Sequence, residues 1–289
     1  MVGIKEFSFV LGSKVRSVEE IAFFLTEKEH KDMRKIGLNR VVTDNERNLW
    51  EMVEEAYCKL TVKPDLILIA HSLPFIRGNK TPVRFAGDVP VFFLSGLPCA
   101  IMHKAVETAR QLIQKKIYQK VLVIGADKAY SDRERVFFGT IMGDGVVALL
   151  ITEDANANLI LGNRVSTTVY AADGENSEPD DIAEFRLKNA LMMREAVTVL
   201  LGNRKINDLD YFVPHTSNRM FWDGFAPLFN YPRDRILDTN IENTGHMNSH
   251  DSFYHYFYWC ERGLIQPGNL VMLINPGFGG TQGATLIQR

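Results

Sequence analysis

The sequence has few cysteines, little net charge and no long apolar run. Its 289 residues include only three cysteines, Cys58, Cys99 and Cys260, and this odd number at wide spacings indicates reduced thiols instead of a disulfide framework. The formal net charge of −2 gives no sign of a nucleic-acid-binding surface. No apolar run is long enough to span a bilayer, and the first residues lack the apolar core of a signal peptide. We therefore expect a cytoplasmic protein that binds neither nucleic acid nor a membrane.

The composition is that of a globular protein with a large core. Hydrophobic residues make up 46% of the chain and charged residues 24%. A chain of this length can bury one large core or the cores of two closely packed halves. Continuous apolar runs at 66–70, 120–127 and 146–152 predict buried strands, and amphipathic stretches at 45–60 and 183–201 predict helices. This alternation indicates an α/β protein.

The second half of the chain repeats the order of elements found in the first. DLILIAHS at 65–72 is echoed by DYFVPHTS at 210–217, and KVLVIGAD at 120–127 is echoed by NLVMLINPG at 269–277. A predicted helix that ends at Arg262 stands where the helix after Cys99 stands in the first half. The repeat predicts two α/β halves, at 1–155 and 156–289, each with a mixed, buried sheet between helices. Loops at corresponding strand ends would then meet at the junction of the halves.

Cys99 lies between a short apolar run and a stretch with helical periodicity, in SGLPCAIMHKAVETARQLIQKK. A thiol at a helix N-terminus is close to free backbone N–H groups and to the positive end of the helix dipole, which favour the nucleophilic thiolate. A small buried residue would also suit this position, so the stretch alone leaves both interpretations open. Cys58 and Cys260 lie in predicted helices among apolar neighbours, where we expect core residues.

Polar side chains and glycines follow the later strands. His215 follows a predicted buried strand, Asn243 and His246 lie in ENTGHMNSH, and Gly280 precedes the final strand. Transfer of an acyl group through a thioester needs a thiolate, donors for the oxyanion, and an imidazole with a second donor that stabilises an enolate. Asn243 also suits a helix N-cap, and the choice between Asn243 and His246 as the second catalytic group is open.

Two other kinds of site are weighed against these motifs. His246, His250 and His255, together with Cys260, suggest zinc, but HMNSH lacks the glutamate that follows the first histidine of a zincin. The sequence GFGGTQG is followed by a strand, whereas a dinucleotide-binding loop is followed by a helix. We therefore expect no metal and no permanently bound cofactor.

The order and spacing of these motifs resemble those of beta-ketoacyl-acyl-carrier-protein synthase III-like proteins in the thiolase superfamily. The matching motifs extend over nearly the whole chain and are GLPCA at 96–100, GDG at 143–145, VPHTSN at 213–218, NTG at 243–245 and GFGG at 277–280. The resemblance implies the thiolase fold, with duplicated αβαβα halves and mixed buried sheets in a five-layered arrangement, and a homodimer. It also implies an acyltransferase of fatty acid, polyketide or secondary metabolite biosynthesis that loads a cysteine from acyl-CoA or acyl carrier protein. The usual second step is condensation of the acyl group with a malonyl thioester.

The same resemblance assigns roles to residues of this chain. It implies Cys99 as the acylated nucleophile, His215 as the catalytic histidine and Asn243 as its partner, with His246 as the alternative to Asn243. It further implies that the backbone N–H groups of Cys99 and Gly280 form the oxyanion hole and that Asn218 lies near the phosphopantetheine arm of the substrate.

The chain also departs from the family pattern. It is short before Cys99 and between GDG and VPHTSN, and some relatives with Thr-Gly-His, as at 244–246, move the acyl group onto oxygen or nitrogen. A transferase with an alcohol or amine acceptor, and with His215 as general base, is therefore an alternative. A third hypothesis is a non-catalytic partner subunit of an active synthase, although the retained Cys99 and His215 argue against it.

Overall fold

The computed structural model describes residues 1–73, 83–137, 140–168, 178–277 and 280–289. Within these ranges the strands are β1 (Gly3–Leu11), β2 (Lys14–Ser17), β3 (Arg40–Thr43), β4 (Leu66–Ala70), β5 (Val91–Leu94), β6 (Lys120–Asp127), β7 (Val136–Phe137), β8 (Thr140–Ile141), β9 (Gly145–Thr152), β10 (Leu159–Thr167), β11 (Tyr211–Pro214), β12 (Leu270–Gly277) and β13 (Thr281–Gln288). The helices are α1 (Val18–Ile21), α2 (Glu27–Lys35), α3 (Leu49–Cys58), α4 (Ile101–Gln114), α5 (Asp132–Arg135), α6 (Pro179–Leu201), α7 (Arg219–Leu228), α8 (Ile241–Thr244) and α9 (Asp251–Glu261).

Nine of the strands form a mixed sheet in the order β11-β12-β13-β10-β1-β9-β6-β4-β5. The sheet consists of a first half-sheet, β1-β9-β6-β4-β5, and a second half-sheet, β10-β13-β12-β11. The two half-sheets are joined where Gly3 of β1 pairs with Leu159 of β10. In the first half-sheet β6 pairs in parallel with β4 and antiparallel with β9. In the second, β12 likewise pairs in parallel with β11 and antiparallel with β13. The predicted duplication of an α/β unit is therefore confirmed.

The helices complete five layers. Helices α4 and α9 lie between the half-sheets, since their side chains share one core cluster with residues of both, among them Val123 of β6 and Leu273 of β12. Helix α3 covers the outer face of the first half-sheet, and α6 and α7 cover the outer face of the second. The order α3, first half-sheet, α4 with α9, second half-sheet, α6 with α7 is the predicted αβαβα arrangement. The predicted division after residue 155 falls in the connection between β9 and β10 and remains an interpretation.

Local sequence explains where these helices begin and which faces they bury. Helix α3 begins after Asn48, whose side chain accepts from the backbone N–H of Glu51, while the Glu51 side chain accepts from the N–H of Asn48. Its buried residues, Leu49, Met52, Val53 and Ala56, recur at helical spacing. Helix α9 buries its whole first two turns, because it lies in the central layer between two sheets.

The three cysteines carry free thiols, but they differ in burial. Cys58 is the last residue of α3 and is exposed, so the expectation that it lies in the core is wrong. It follows the exposed Glu54 by four residues and therefore lies on the solvent face of the helix. Cys260 is partly buried in the last turn of α9, and burial raises the pKa of its thiol to about 11. None of the described helices has the length and apolar character needed to cross a bilayer.

Candidate active site

Cys99 lies in a strained turn between β5 and α4. Its backbone φ is +58°, a left-handed conformation that costs an L-residue about 1–2 kcal/mol. The helix begins at Ile101 with Ala100 as its N-cap, so Cys99 precedes the first helical residue by two positions. Two side chains from the second half hold this turn: Asn275 donates to the carbonyl of Cys99 at 2.9 Å, and Thr281 donates to the carbonyl of Pro98 at 2.7 Å. Backbone strain at a reactive side chain is common at functional sites.

Two histidine rings face the thiol. His246 follows α8, and its Nε2 atom lies 3.9 Å from Sγ of Cys99. His215 follows β11, and its ring centroid lies 5.2 Å from that of His246, with the two planes nearly perpendicular at 87°. All three side chains are buried. The structure thus brings together three of the residues selected from the sequence, at the place where loops of the two halves meet.

Asp251 completes the group and was not predicted from the sequence. Its Oδ2 atom lies 2.8 Å from Nδ1 of His246 and accepts from the backbone N–H of Thr216 at 2.7 Å. Its Oδ1 atom lies 3.1 Å from Nδ1 of His255, so the carboxylate is buried between two imidazoles. Cys99, His246 and Asp251 therefore stand in the order of a nucleophile, a base and the carboxylate that orients the base. The one sequence signal for this group is an aspartate five residues after His246, where α9 begins.

The two imidazoles have opposite electrostatic environments. Burial opposes the charged form of His246, but its hydrogen bonds to Asp251 and Cys99 outweigh burial and raise the pKa of His246 to about 10. Although burial would raise the pKa of Asp251, the neighbouring histidines hold it well below the usual range. Burial, followed by the adjacent charge of His246, lowers the pKa of His215 to about 3. The site therefore places a charged and a neutral imidazole beside the same sulfur atom.

The site opens onto a cavity of about 220 Å³. Besides the thiol and the two imidazoles, the cavity is lined by Phe137, Thr140, Phe185, Asn189, Ser217, Asn218, Phe221, Pro276 and Gly277. A neighbouring cavity of about 590 Å³ shares Phe137 and Asn218 with the first. These two side chains border both spaces, the smaller beside the sulfur atom and the larger beside α2, whose Asp32 and Met33 line it.

The remaining predicted residues have different positions. Asn218 lines both cavities and caps α7, because its Oδ1 accepts from the backbone N–H of Phe221 at 3.4 Å. Gly280 has φ of +78° and its carbonyl accepts from the N–H of Thr168 at 2.8 Å, but the cavity is lined by Gly277, the last residue of β12, and not by Gly280.

The structure does not bring Asn243 into the site. Its side chain is exposed, and its Oδ1 accepts from the guanidinium of Arg40 at 3.1 Å. The short helix α8 ends at Thr244, and Gly245, with φ of +71°, reverses the chain so that the next side chain, His246, points inward. Of the two alternatives for a second group beside the thiol, the geometry provides His246.

The five layers, with a cysteine and two histidines where the halves meet, define a protein of the thiolase superfamily. A family model described as 3-oxoacyl-[acyl-carrier-protein (ACP)] synthase III matches residues 96–174, and the model for the C-terminal part of the same proteins matches residues 202–289. The chain belongs to this family, and the resemblance stated from the sequence is confirmed.

Individual relatives are similar over most of their length. Beta-ketoacyl-[acyl-carrier-protein] synthase III of Porphyra umbilicalis is 27% identical over 82% of this chain and 82% of its own, and that of Rickettsia bellii is 27% identical over 79% and 75%. The crystal structure of 3-oxoacyl-[acyl-carrier-protein] synthase III from Aquifex aeolicus superposes with a TM-score of 0.82, covering 100% of both chains at 20% identity. This structural likeness confirms the fold.

Proposed function

We propose that the chain is an acyltransferase that forms an acyl-Cys99 thioester from an acyl-CoA or acyl carrier protein and condenses the acyl group with a malonyl thioester. The observation that carries the proposal is the buried thiol with a charged and a neutral imidazole beside it. Membership of the 3-oxoacyl-[acyl-carrier-protein] synthase III family supports the same reaction class.

In the first step, the sulfur atom of Cys99 attacks the carbonyl carbon of the donor thioester. The donor's sulfur leaves as a thiolate and takes up the proton that Nε2 of His246 holds, since this nitrogen lies 3.9 Å from Sγ of Cys99. The oxyanion needs backbone donors, for which we propose the N–H of Cys99 and, as predicted from the sequence, that of Gly280. Asn275 and Thr281 support this step because they fix the turn that carries the sulfur.

In the second step, the malonyl thioester loses carbon dioxide and becomes an enolate. Before this step His246 regains a proton from solvent, which its raised pKa favours, so that imidazole N–H groups of His215 and His246 can donate to the thioester oxygen. These hydrogen bonds stabilise the negative charge that develops on that oxygen. The enolate carbon then attacks the acyl carbonyl, a carbon–carbon bond forms, and Cys99 is released. We propose that Asn218 contacts the phosphopantetheine arm, since it lines both adjacent cavities. The substrates are thioesters, so the reaction needs no permanently bound cofactor.

The condensation is tested by adding malonyl carrier protein to acyl-loaded protein and measuring both carbon dioxide and the 3-oxoacyl product by mass spectrometry. Single variants His215→Ala and His246→Ala are expected to lose about 100-fold or more of the condensation rate, the usual magnitude for such groups. Asn243→Ala is the matched control and is expected to retain the rate, because that side chain is exposed. Acyl loading without carbon dioxide release would contradict the condensation.

One observation favours a second candidate function, which is transfer of the acyl group to an alcohol or amine. Asp251 bonds to Nδ1 of His246 at 2.8 Å, and this arrangement orients an imidazole to take a proton from an acceptor hydroxyl or amine. In this scheme His246 is neutral once it has given its proton to the leaving thiol, and it then replaces His215 as the general base, because the low pKa of His215 makes it a poor proton acceptor. Ester or amide formation without carbon dioxide release would support this reaction.

The assembly and compartment are part of the same proposal. Strand β5 is an edge strand of the nine-stranded sheet, and its side chains Phe92 and Phe93 are 55% and 41% exposed. An apolar terminal strand is a template for pairing with another strand, and we propose that a second copy of this chain pairs there to form a homodimer. The three free thiols suit the reducing cytoplasm. Sedimentation equilibrium would give a dimer mass for the wild type and a monomer mass for Phe92→Lys, and a monomeric wild type would contradict the dimer.

A further inference from the structure

The catalytic side chains also have the composition and spacing of a metal site. Sγ of Cys99 and ring nitrogens of His215 and His246 lie within 4.8 Å of one another. Zinc binds sulfur at about 2.3 Å and imidazole nitrogen at about 2.0–2.1 Å, so ligand atoms around it are separated by roughly 3.3–4 Å. The ligand atoms, now within 4.8 Å of one another, therefore need to approach by at most about 1.5 Å to enclose the ion. We propose that Zn²⁺ binds reversibly to Cys99, His215 and His246 and blocks the active site.

The surroundings of the two histidines suit this ligand set. Asp251 bonds to Nδ1 of His246, which leaves Nε2 directed at the sulfur atom, and a carboxylate behind a ligating histidine is a recurrent feature of zinc sites. Nδ1 of His215 is buried and has no hydrogen-bond partner within the described ranges, while Nε2 lies 3.1 Å from Oγ of Ser217. Among the described residues, Nδ1 of His215 therefore has no competing hydrogen bond, and the only hydrogen-bonding side chain that Nε2 of His246 meets is Cys99, itself a proposed ligand.

The cavity supplies the fourth coordination position and the route of entry. Cys99, His215 and His246 all line the space of about 220 Å³, so a water molecule or a small anion has room to complete four-coordinate geometry. Two metal–nitrogen bonds and one metal–sulfur bond replace three bonds from the hydrated ion to water. The protons held on the sulfur atom and on Nε2 of His246 pass to solvent, and no electron is transferred. The set differs from the His246, His250, His255 and Cys260 pattern that the sequence suggested, since it takes one residue from each of three separate loops.

Metal binding and covalent chemistry at Cys99 are mutually exclusive in this account, because both use the same sulfur atom. Zn²⁺ acts as a reversible inhibitor and takes no part in the acyl transfer. The inference therefore stands apart from the proposed reaction and needs no acyl substrate for its test.

The test uses the full-length, untagged chain after dialysis against a chelator and then against metal-free buffer. Titration with Zn²⁺ in a calorimeter is expected to give one site per chain in the wild type, and titration with Co²⁺ is expected to give a sulfur-to-cobalt charge-transfer band. Both signals should disappear in Cys99→Ala and weaken at least about tenfold in His215→Ala and His246→Ala, since each loses one ligand. Cys58→Ala and Cys260→Ala are the matched controls and should bind as the wild type does. Circular dichroism establishes that each variant is folded.

Alkylation of Cys99 gives a second readout. Zn²⁺ is expected to slow the reaction of Cys99 with iodoacetamide, followed by peptide mass spectrometry, whereas Mg²⁺, which prefers oxygen ligands, is not. Zinc binding that persists in Cys99→Ala, or alkylation of Cys99 at the same rate with and without Zn²⁺, would overturn the inference. Neither the metal titration nor the alkylation uses an acyl donor, so a negative result in them contradicts the metal site without bearing on the proposed acyl transfer.

Discussion

The side-chain amide of Asn275 donates to the main-chain carbonyl of Cys99 at 2.9 Å. The same amide donates to the carbonyl of Ser249 at 3.0 Å, just before α9. Asn275 belongs to β12, so a strand of the second half-sheet fixes both the nucleophile turn of the first half and the loop that follows His246. The catalytic geometry therefore depends on a buried contact that crosses the junction of the halves.

We predict that Asn275→Ala both destabilises the protein and slows acylation. Two buried carbonyls lose their donor, and each unsatisfied group costs about 1–3 kcal/mol. Because the turn is then less well held, we expect the acylation rate of Cys99 to fall at least about tenfold. Urea unfolding and stopped-flow acylation measure the two effects. Asn163→Ala, which removes a bond to the Thr285 hydroxyl, should cost stability and spare the rate; equal rates in the two variants would contradict this role for Asn275.

The left-handed backbone at Cys99 predicts an inverted preference between glycine and alanine. Glycine adopts φ of +58° without steric cost, so Cys99→Gly should be more stable than Cys99→Ala by about 1 kcal/mol. At Thr108, inside α4, the order should be the usual one, with alanine favoured by about 1 kcal/mol. Urea unfolding of the four variants gives both differences, and alanine being favoured at both positions would show that the turn at Cys99 is not strained.

The contact between Asp251 and His246 predicts a large kinetic effect. In Asp251→Asn the charged imidazole loses its partner, so the pKa of His246 should fall and the acylation rate should drop about 100-fold or more. Titration of the His246 ring protons by NMR and stopped-flow acylation measure the two quantities. His255→Gln leaves the 2.8 Å contact in place and should have a smaller effect. If Asp251→Asn acylated Cys99 at the wild-type rate, Asp251 would have no role in orienting His246 for acylation.

Asp127 predicts a pH-dependent stability. It is buried at the end of β6, and burial raises its pKa to about 7, although Oδ1 accepts from the backbone N–H groups of Ser72 and Leu73. In the unfolded chain this carboxyl has its ordinary pKa of 3.8, so ionising it in the native state costs stability that grows as the pH rises from there to about 7.

Asp127→Asn removes that cost while an amide oxygen can still accept both N–H groups. The stability of the variant relative to the wild type should therefore increase between acid pH and pH 8, by at most about 4 kcal/mol at roughly 1.4 kcal/mol per pKa unit. Urea unfolding at several pH values measures this difference. The exposed Asp234→Asn is the control and should show little change, and a parallel response in both variants would contradict the burial effect.

Apolar runs and motif order were sufficient to predict the duplicated fold. The runs at 66–70 and 120–127 became β4 and β6, because a strand buried on both faces needs apolar side chains at every position. The same kind of pattern selected His215, which directly follows the apolar strand β11, and Cys99, which lies just before the amphipathic helix α4. These positions are determined locally, and sequence patterns report local structure well.

The second catalytic group and its carboxylate depend on the path of one loop. Asn243 and His246 are three residues apart, and the left-handed turn at Gly245 decides which of them faces inward. Asp251 became part of the site because α9 is buried in the central layer, where its first residue must find charged or polar partners. Neither the turn at Gly245 nor the burial of α9 leaves a periodic pattern in the sequence. The sequence therefore left the choice between Asn243 and His246 open and gave no indication that Asp251 belongs to the site.

The most direct test of the central claim is the intact mass of the protein after incubation with a panel of acyl-CoA and acyl-carrier-protein thioesters. We predict that the wild type gains the mass of one acyl group from at least one donor and that Cys99→Ala gains none. Peptide mapping should place the added mass on Cys99, and not on the exposed Cys58. No mass gain with any donor in a folded protein, or the same gain in Cys99→Ala, would contradict the acyl-Cys99 account, and the first of these results would favour the non-catalytic partner subunit.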